Sequence, residues 1–129
     1  MQLQSLTPNL MVKDVNETLD FYINVLNFKL LDTVPESGSF DWGFVESGEV
    51  KLMFQKETSI KAEYKELEPY EKGGALTMYI RVDKVDELYN SMKDKTTVVK
   101  PLSKTFYGAN EFAIEDLNGF ILTFSDILE

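Results

Sequence analysis

The chain has 129 residues, 43% of them hydrophobic and 27% charged, which fits one globular domain burying about two-thirds of its surface and excludes disorder and fibrous repeats. It holds no cysteine and no histidine, which rules out disulfides, thiolate nucleophiles, Ser-His-Asp mechanisms and the commonest ligands of transition metals. With 22 acidic against 13 basic residues its formal charge is −9, a surface that repels nucleic acid and anionic lipid and attracts cations.

Leu6 to Val12 reads as a strand. Asp14 to Glu17 has the acid-x-x-Glu spacing of a helix-opening capping box, and Val15, Leu19, Tyr22 and Leu26 follow at the spacing of one helical face. Phe28 to Val34 reads as a strand closed by the turn residues Pro35 to Gly38. Trp42, Phe44, Val50, Leu52 and Phe54 alternate around Ser47-Gly48-Glu49 as in a hairpin with one buried face, which predicts core packing for Trp42. Residues 57–74 form a charged linker with one short helix. The pattern then restarts, with a strand over Leu76 to Val82, a helix over Lys84 to Lys93 and a strand over Thr97 to Pro101. A final hairpin, Glu111 to Glu115 and Phe120 to Ser125, turns on Asp116 to Gly119.

The second half repeats the first at a constant offset of 70 residues: Thr7 with Thr77, Val12 with Val82, Val15 with Val85, Leu52 with Leu122, Phe54 with Phe124, and by conservative pairing Trp42 with Phe112 and Phe44 with Ile114. The expected architecture is α+β, a single domain over 1–129 with two tandem βαβββ modules, about 1–56 and 75–129, forming a curved sheet with a concave cleft. Helices cover one face of each module. Alternation leaves Thr7, Asn9, Met11, Lys51, Met53 and Gln55, and in the second half Thr77, Tyr79, Arg81, Thr123 and Ser125, on the other. No run reaches the ~18 apolar residues of a membrane span, and Met1 to Thr7 lacks the basic start and apolar stretch of a signal peptide, so a cytoplasmic location is expected.

Asn9 to Val15, Thr18 to Tyr22 and Val25 to Phe28 resemble the opening of the glyoxalase, bleomycin-resistance and extradiol dioxygenase superfamily, the vicinal oxygen chelate fold. Tyr107 to Gly119 resembles its closing motif, an aromatic-Gly step leading to Glu-Phe-Ala and then Asp-Pro-x-Gly, with Leu117 in place of the proline and the bleomycin-resistance branch the most similar. The resemblance implies paired modules and a homodimer with clefts shared between subunits. It also implies that a divalent metal of catalytic relatives would fall on Thr7, Met53, Thr77 and Thr123. Three hydroxyls and a thioether are poor ligands for such an ion, so no metal and no other cofactor is expected.

The leading expectation is a non-enzymatic protein that sequesters a small cationic or aromatic molecule, with no nucleic-acid or membrane partner. Phe40, Trp42, Phe106 and Tyr107 would line its cleft from loops and strand ends, over a floor of Thr7, Asn9, Met53, Thr77, Tyr79 and Thr123. The alternative is a glyoxalase-like enzyme acting without the metal, with Glu111 or Glu115 as base and Arg81, the sole arginine, holding an anion. A third expectation is an interaction module that contacts a partner through Tyr64 and Tyr70.

Overall fold

The side-chain period of a strand is two, so a hairpin's register decides which residues meet the helix and which face away. In the computed structural model, which describes residues 1–126, that register organises two units, Met1–Lys72 and Gly73–Glu129. The first runs β1 (Asn9–Val12), α1 (Val15–Asn24), β2 (Lys29–Val34), β3 (Trp42–Ser47), β4 (Val50–Lys56), α2 (Glu57–Glu63) and a 3-10 turn at Lys65–Leu67. The second runs β5 (Thr77–Arg81), α3 (Val85–Met92), β6 (Thr97–Lys104), β7 (Asn110–Glu115) and β8 (Ile121–Ser125). The sheet orders are β1-β4-β3-β2 and β5-β8-β7-β6, with the first strand of each unit parallel to its last, so each unit is a βαβββ module.

Helix α1 forms where expected. Asp14 has extended backbone and accepts the amide of Glu17 at 2.9 Å, satisfying one of the helix's free donors. Val15, Leu19 and Tyr22 then bury their side chains, Tyr22 lying 4.7 Å from the Phe54 ring and 5.5 Å, edge-on, from Phe28. Asn27 at φ 61° turns the chain from the helix into β2, a left-handed conformation that asparagine tolerates. In the second unit Val85 and Met92 are buried, and Tyr89 meets Phe112 edge-on at 5.0 Å. Among the described residues no helix is long and apolar enough to cross a membrane.

Two sequence expectations need correction. The first strand begins at Asn9 rather than Leu6, and Leu6 is exposed. More consequentially, the offset of 70 does not hold at β3. Phe54 pairs with Gly43, whereas Phe124 pairs with Phe112, so the structural counterpart of Phe112 is Gly43 and that of Ile114 is Val45. Ser47 and Val50 pair across a two-residue turn, whereas Asp116 holds a longer turn between Glu115 and Ile121 by accepting the amides of Asn118 and Phe120 at 2.9 Å each. The extra residue shifts the register by one and reverses the face. Gly43 and Val45 are therefore buried beneath α1, while Trp42 and Phe44, expected in the core, lie half-buried on the face away from it, with ring centroids 5.9 Å apart.

Gly43 is where α1 comes closest to the sheet: a Cβ there would lie 2.9 Å from Leu19 Cδ2. We expect Gly43→Val to lower unfolding stability in urea by about 1–3 kcal/mol through overpacking. Adding Leu19→Ala should cost less than the sum of the two single changes, because the removed methyls make room for the added ones.

Candidate functional site

The faces turned away from α1 and α3 carry the polar and aromatic side chains of each unit. In the first, the pairings Asn9 with Met53, Met11 with Gln55, Trp42 with Gln55 and Phe44 with Met53 place all six on one face. At one end of this face lies a hollow of about 500 Å³ whose lining includes Asn9, Asp41, Trp42, Gln55, Ser59 and Glu63. Gln55 is buried at its floor. Its carbonyl oxygen accepts from Asn9 Nδ2 at 2.8 Å, and its Nε2 donates to Ser59 Oγ at 3.0 Å and to Glu63 Oε1 at 3.1 Å. Ser59 and Glu63, four residues apart on α2, face the same way.

In the second unit, register places Thr77, Tyr79, Arg81, Glu111, Ala113, Glu115, Thr123 and Ser125 on the face away from α3. Its centre is Glu111, whose side chain is only 1% exposed. Oε2 accepts from the Tyr79 hydroxyl at 2.8 Å and from the Tyr107 hydroxyl, and Oε1 accepts from Lys100 Nζ at 3.1 Å. Burial alone would push this carboxyl up. The hydrogen bonds from Tyr107, Tyr79 and Lys100, with the lysine's charge, outweigh burial and hold it below the ordinary carboxylate range. The same carboxylate raises the Tyr107 phenol to about 12. At neutral pH the cluster is thus an ionised acceptor ringed by protonated donors, and Glu111 has little basicity left for proton abstraction.

The β6–β7 turn fixes where Tyr107 stands. Gly108 at φ 89° closes it, the Gly108 amide donates to the Thr105 carbonyl, and Thr105 Oγ1 accepts the Ala109 amide at 3.1 Å. Phe106 at the tip is 99% exposed and meets Tyr107 edge-on at 5.0 Å. The second unit therefore presents Phe106, Tyr107 and Tyr79 as exposed rings, two of them anchored through their hydroxyls to one buried carboxylate.

The remaining candidates fall apart from these groups. Phe40 lines a separate hollow of about 220 Å³ at the start of α1, where Asn16 accepts its amide at 2.9 Å. Thr7 precedes β1 and is half-buried, and Arg81 is exposed. Sequence reasoning left Asp41, Ser59, Glu63 and Lys100 out of the site. The i, i+4 spacing of Ser59 and Glu63 was a usable signal for two of them. Lys100 had none, because β6 shifts register between Val98 and Lys100 and again before Ser103.

The chain belongs to the glyoxalase/bleomycin resistance protein/dioxygenase superfamily, whose family model matches residues 3–124. No curated protein matches the chain significantly. Among solved structures it is similar to TioX from Micromonospora sp. ML1, at 22% identity and TM-score 0.77 over 98% of this chain and 100% of that one. A member of the same superfamily from Sphaerobacter thermophilus is 17% identical at TM-score 0.76, covering 95% of this chain and 97% of the other. The bleomycin-binding protein of bleomycin-producing Streptomyces verticillus, solved with copper(II)-bleomycin, is 20% identical at TM-score 0.66, covering 96% of each chain. At these identities the likeness is one of fold. The positions to which the family resemblance would assign a metal hold Thr7, Met53, Thr77 and Thr123, donors that do not fit a divalent transition ion. Among the described residues no three His, Cys, Asp or Glu side chains form a group that could hold one.

The cluster predicts a pH signature. A depressed Glu111 contributes stability that is present above the ordinary carboxyl pKa of 4.5 and is lost as pH falls through its lower folded value, so Glu111→Gln should flatten the acid limb of the stability–pH curve. A raised Tyr107 contributes stability that is complete below the ordinary phenol value of 10.0 and disappears as pH rises through about 12. Spectrophotometric titration of tyrosinate should show Tyr107 ionising late in the native protein, identified as the phenol that Glu111→Gln returns towards the ordinary value.

Proposed function

We propose that this chain is a metal-free small-molecule-binding protein that sequesters a cationic or aromatic compound, acting in the cytoplasm as a homodimer. The observation that carries this reading is the ring set of the second unit: a fully exposed Phe106 beside Tyr107 and Tyr79, whose hydroxyls are fixed on buried Glu111. Exposed aromatic rings held in place lose little conformational entropy on contact, which favours stacking with an extended planar ligand. The net charge of −9 favours a cationic one. A solved relative of the same fold bound to copper(II)-bleomycin supports the assignment at the level of ligand class. Exposed Leu30, Leu31 and Val34 on the edge strand β2 support self-association.

The glyoxalase-like enzyme reading is the weaker one. Of its two proposed bases, Glu111 spends both oxygens on three donors and Glu115 is exposed at the end of β7, and Arg81 stands exposed without enclosing an anion site.

Calorimetric titration with copper(II)-bleomycin and with a planar cationic dye should give saturable binding at micromolar concentration or below, with the ligand recovered chemically unchanged. Phe106→Ala should weaken it about three- to ten-fold through lost stacking, while metal analysis of the purified protein should find no stoichiometric transition ion. Chemical turnover of a bound ligand, or one transition metal per chain, would overturn the proposal.

A further inference from the structure

The hollow at the end of the first unit's open face differs in chemistry from the ring set of the second. Its lining includes two carboxylic acids, Asp41 and Glu63, the indole of Trp42 and the neutral side chains of Asn9, Gln55 and Ser59, and no lysine or arginine. The neutral groups are already committed to one another: Gln55 accepts from Asn9 and donates to Ser59 and Glu63. Asp41, by contrast, has no side-chain hydrogen bond or ion pair among the described residues. What the hollow offers a visitor is therefore negative charge beside an aromatic face.

We infer that this hollow is a binding subsite for an organic cation, a quaternary or alkylated ammonium group seated against Trp42 between Asp41 and Glu63. The inference rests on the reading of the chain as a small-molecule binder and gives that reading a ligand class, the organic cation. A hard inorganic cation fits less well, because calcium needs six to eight oxygen ligands and magnesium a near-ideal octahedron. Here the Gln55 oxygen is taken by Asn9, and Asp41 and Glu63 are the only carboxylates in the lining. A weakly hydrated organic cation needs no such shell. It gains from an indole face by cation–π attraction and from nearby carboxylates without direct coordination.

The wall of this subsite comes from outside the duplicated pattern. Gln55 is the penultimate residue of β4, and after Lys56 α2 begins at Glu57, delivering Ser59 and Glu63 at one-turn spacing over the end of the sheet, with Ile60 buried beneath. In the second unit the pairing that corresponds to Met11 with Gln55 is Arg81 with Ser125, so that position carries a cation and a hydroxyl instead. Duplication alone would have produced no such acidic recess. The segment that reads as a linker in sequence builds it.

The test uses the only tryptophan in the chain, Trp42, as reporter. Choline should shift Trp42 emission saturably, whereas its uncharged isostere, with carbon in place of the quaternary nitrogen, should bind at least about ten-fold more weakly. Asp41→Asn with Glu63→Gln should weaken choline by about five-fold or more, and added salt should mimic part of that loss. Both acids are exposed, and glutamine at 63 keeps an acceptor for Gln55, so the circular dichroism spectrum should be unchanged. Equal binding of choline and its isostere, no choline response, or a response indifferent to the double substitution would overturn the inference. If any of these occurred while a planar ligand still bound with Phe106-dependent affinity, the subsite would fall and the proposed function stand. Choline binding that depends on the two acids, without any binding of planar ligands, would uphold the subsite and refute the stacking reading.

Discussion

One residue of hairpin register separates the two halves of this chain, and the character of each open face depends on it. Phe124 lies opposite Phe112, but Phe54 lies opposite Gly43. Because successive side chains point to opposite faces, that single step exchanges the whole set presented by β3. In the second unit the bulky pair Phe112 and Ile114 turns inward, and Glu111 and Ala113 turn outward. In the first unit the inward positions hold Gly43 and Val45, Leu19 of α1 fills the space above the glycine, and Trp42 and Phe44 become available outside. The core thus accepts a small residue at one site, and the aromatic it forgoes reappears on the open face.

Glu111 shows how a buried charge can organise a surface. An isolated carboxylate at 1% exposure would be costly. Two phenols and an ammonium group meet that cost, and in doing so they fix the positions of Tyr79, Tyr107 and the Lys100 side chain relative to one another. The same bonds lower the acid's proton affinity and raise that of the Tyr107 phenol. Groups driven apart in this direction are poor partners for proton transfer at neutral pH, since the acid is too weak a base and the phenol too weak an acid. The arrangement is suited to holding rings still.

The order of elements, their approximate limits and the duplication were legible from sequence, because apolar periodicity reports burial directly. Val15, Leu19 and Tyr22 mark α1, and Leu122 and Phe124 mark β8, with no tertiary information. The face of β3 was not legible, since Trp42 and Phe44 alternate as convincingly as Val45 and Gly43 do not, and only the turn length reveals which set is buried. Glu111, Tyr79 and Tyr107 could be named individually from alternation and motif, but their convergence on one carboxylate could not. It requires the β6–β7 turn and the irregular register of β6, neither of which leaves a periodic trace. Residues 57–74 read as a linker because their charge masks a single buried contact, Ile60.

The two modules share a topology but not the chemistry of their open faces. At paired positions the chain holds Asn9 and Tyr79, Met53 and Thr123, Gln55 and Ser125. One face has become amide-rich and is closed at one end by α2, with acids around its recess. The other has become hydroxyl-rich, with one carboxylate spent on anchoring phenols. Two identical faces would present the same chemistry twice, whereas these present anchored phenol rings in one unit and an acid-lined recess in the other. The divergence reaches the positions to which the family resemblance would assign a metal, where the first unit has the Met53 thioether and the second the Thr123 hydroxyl, neither a donor that a divalent transition ion selects.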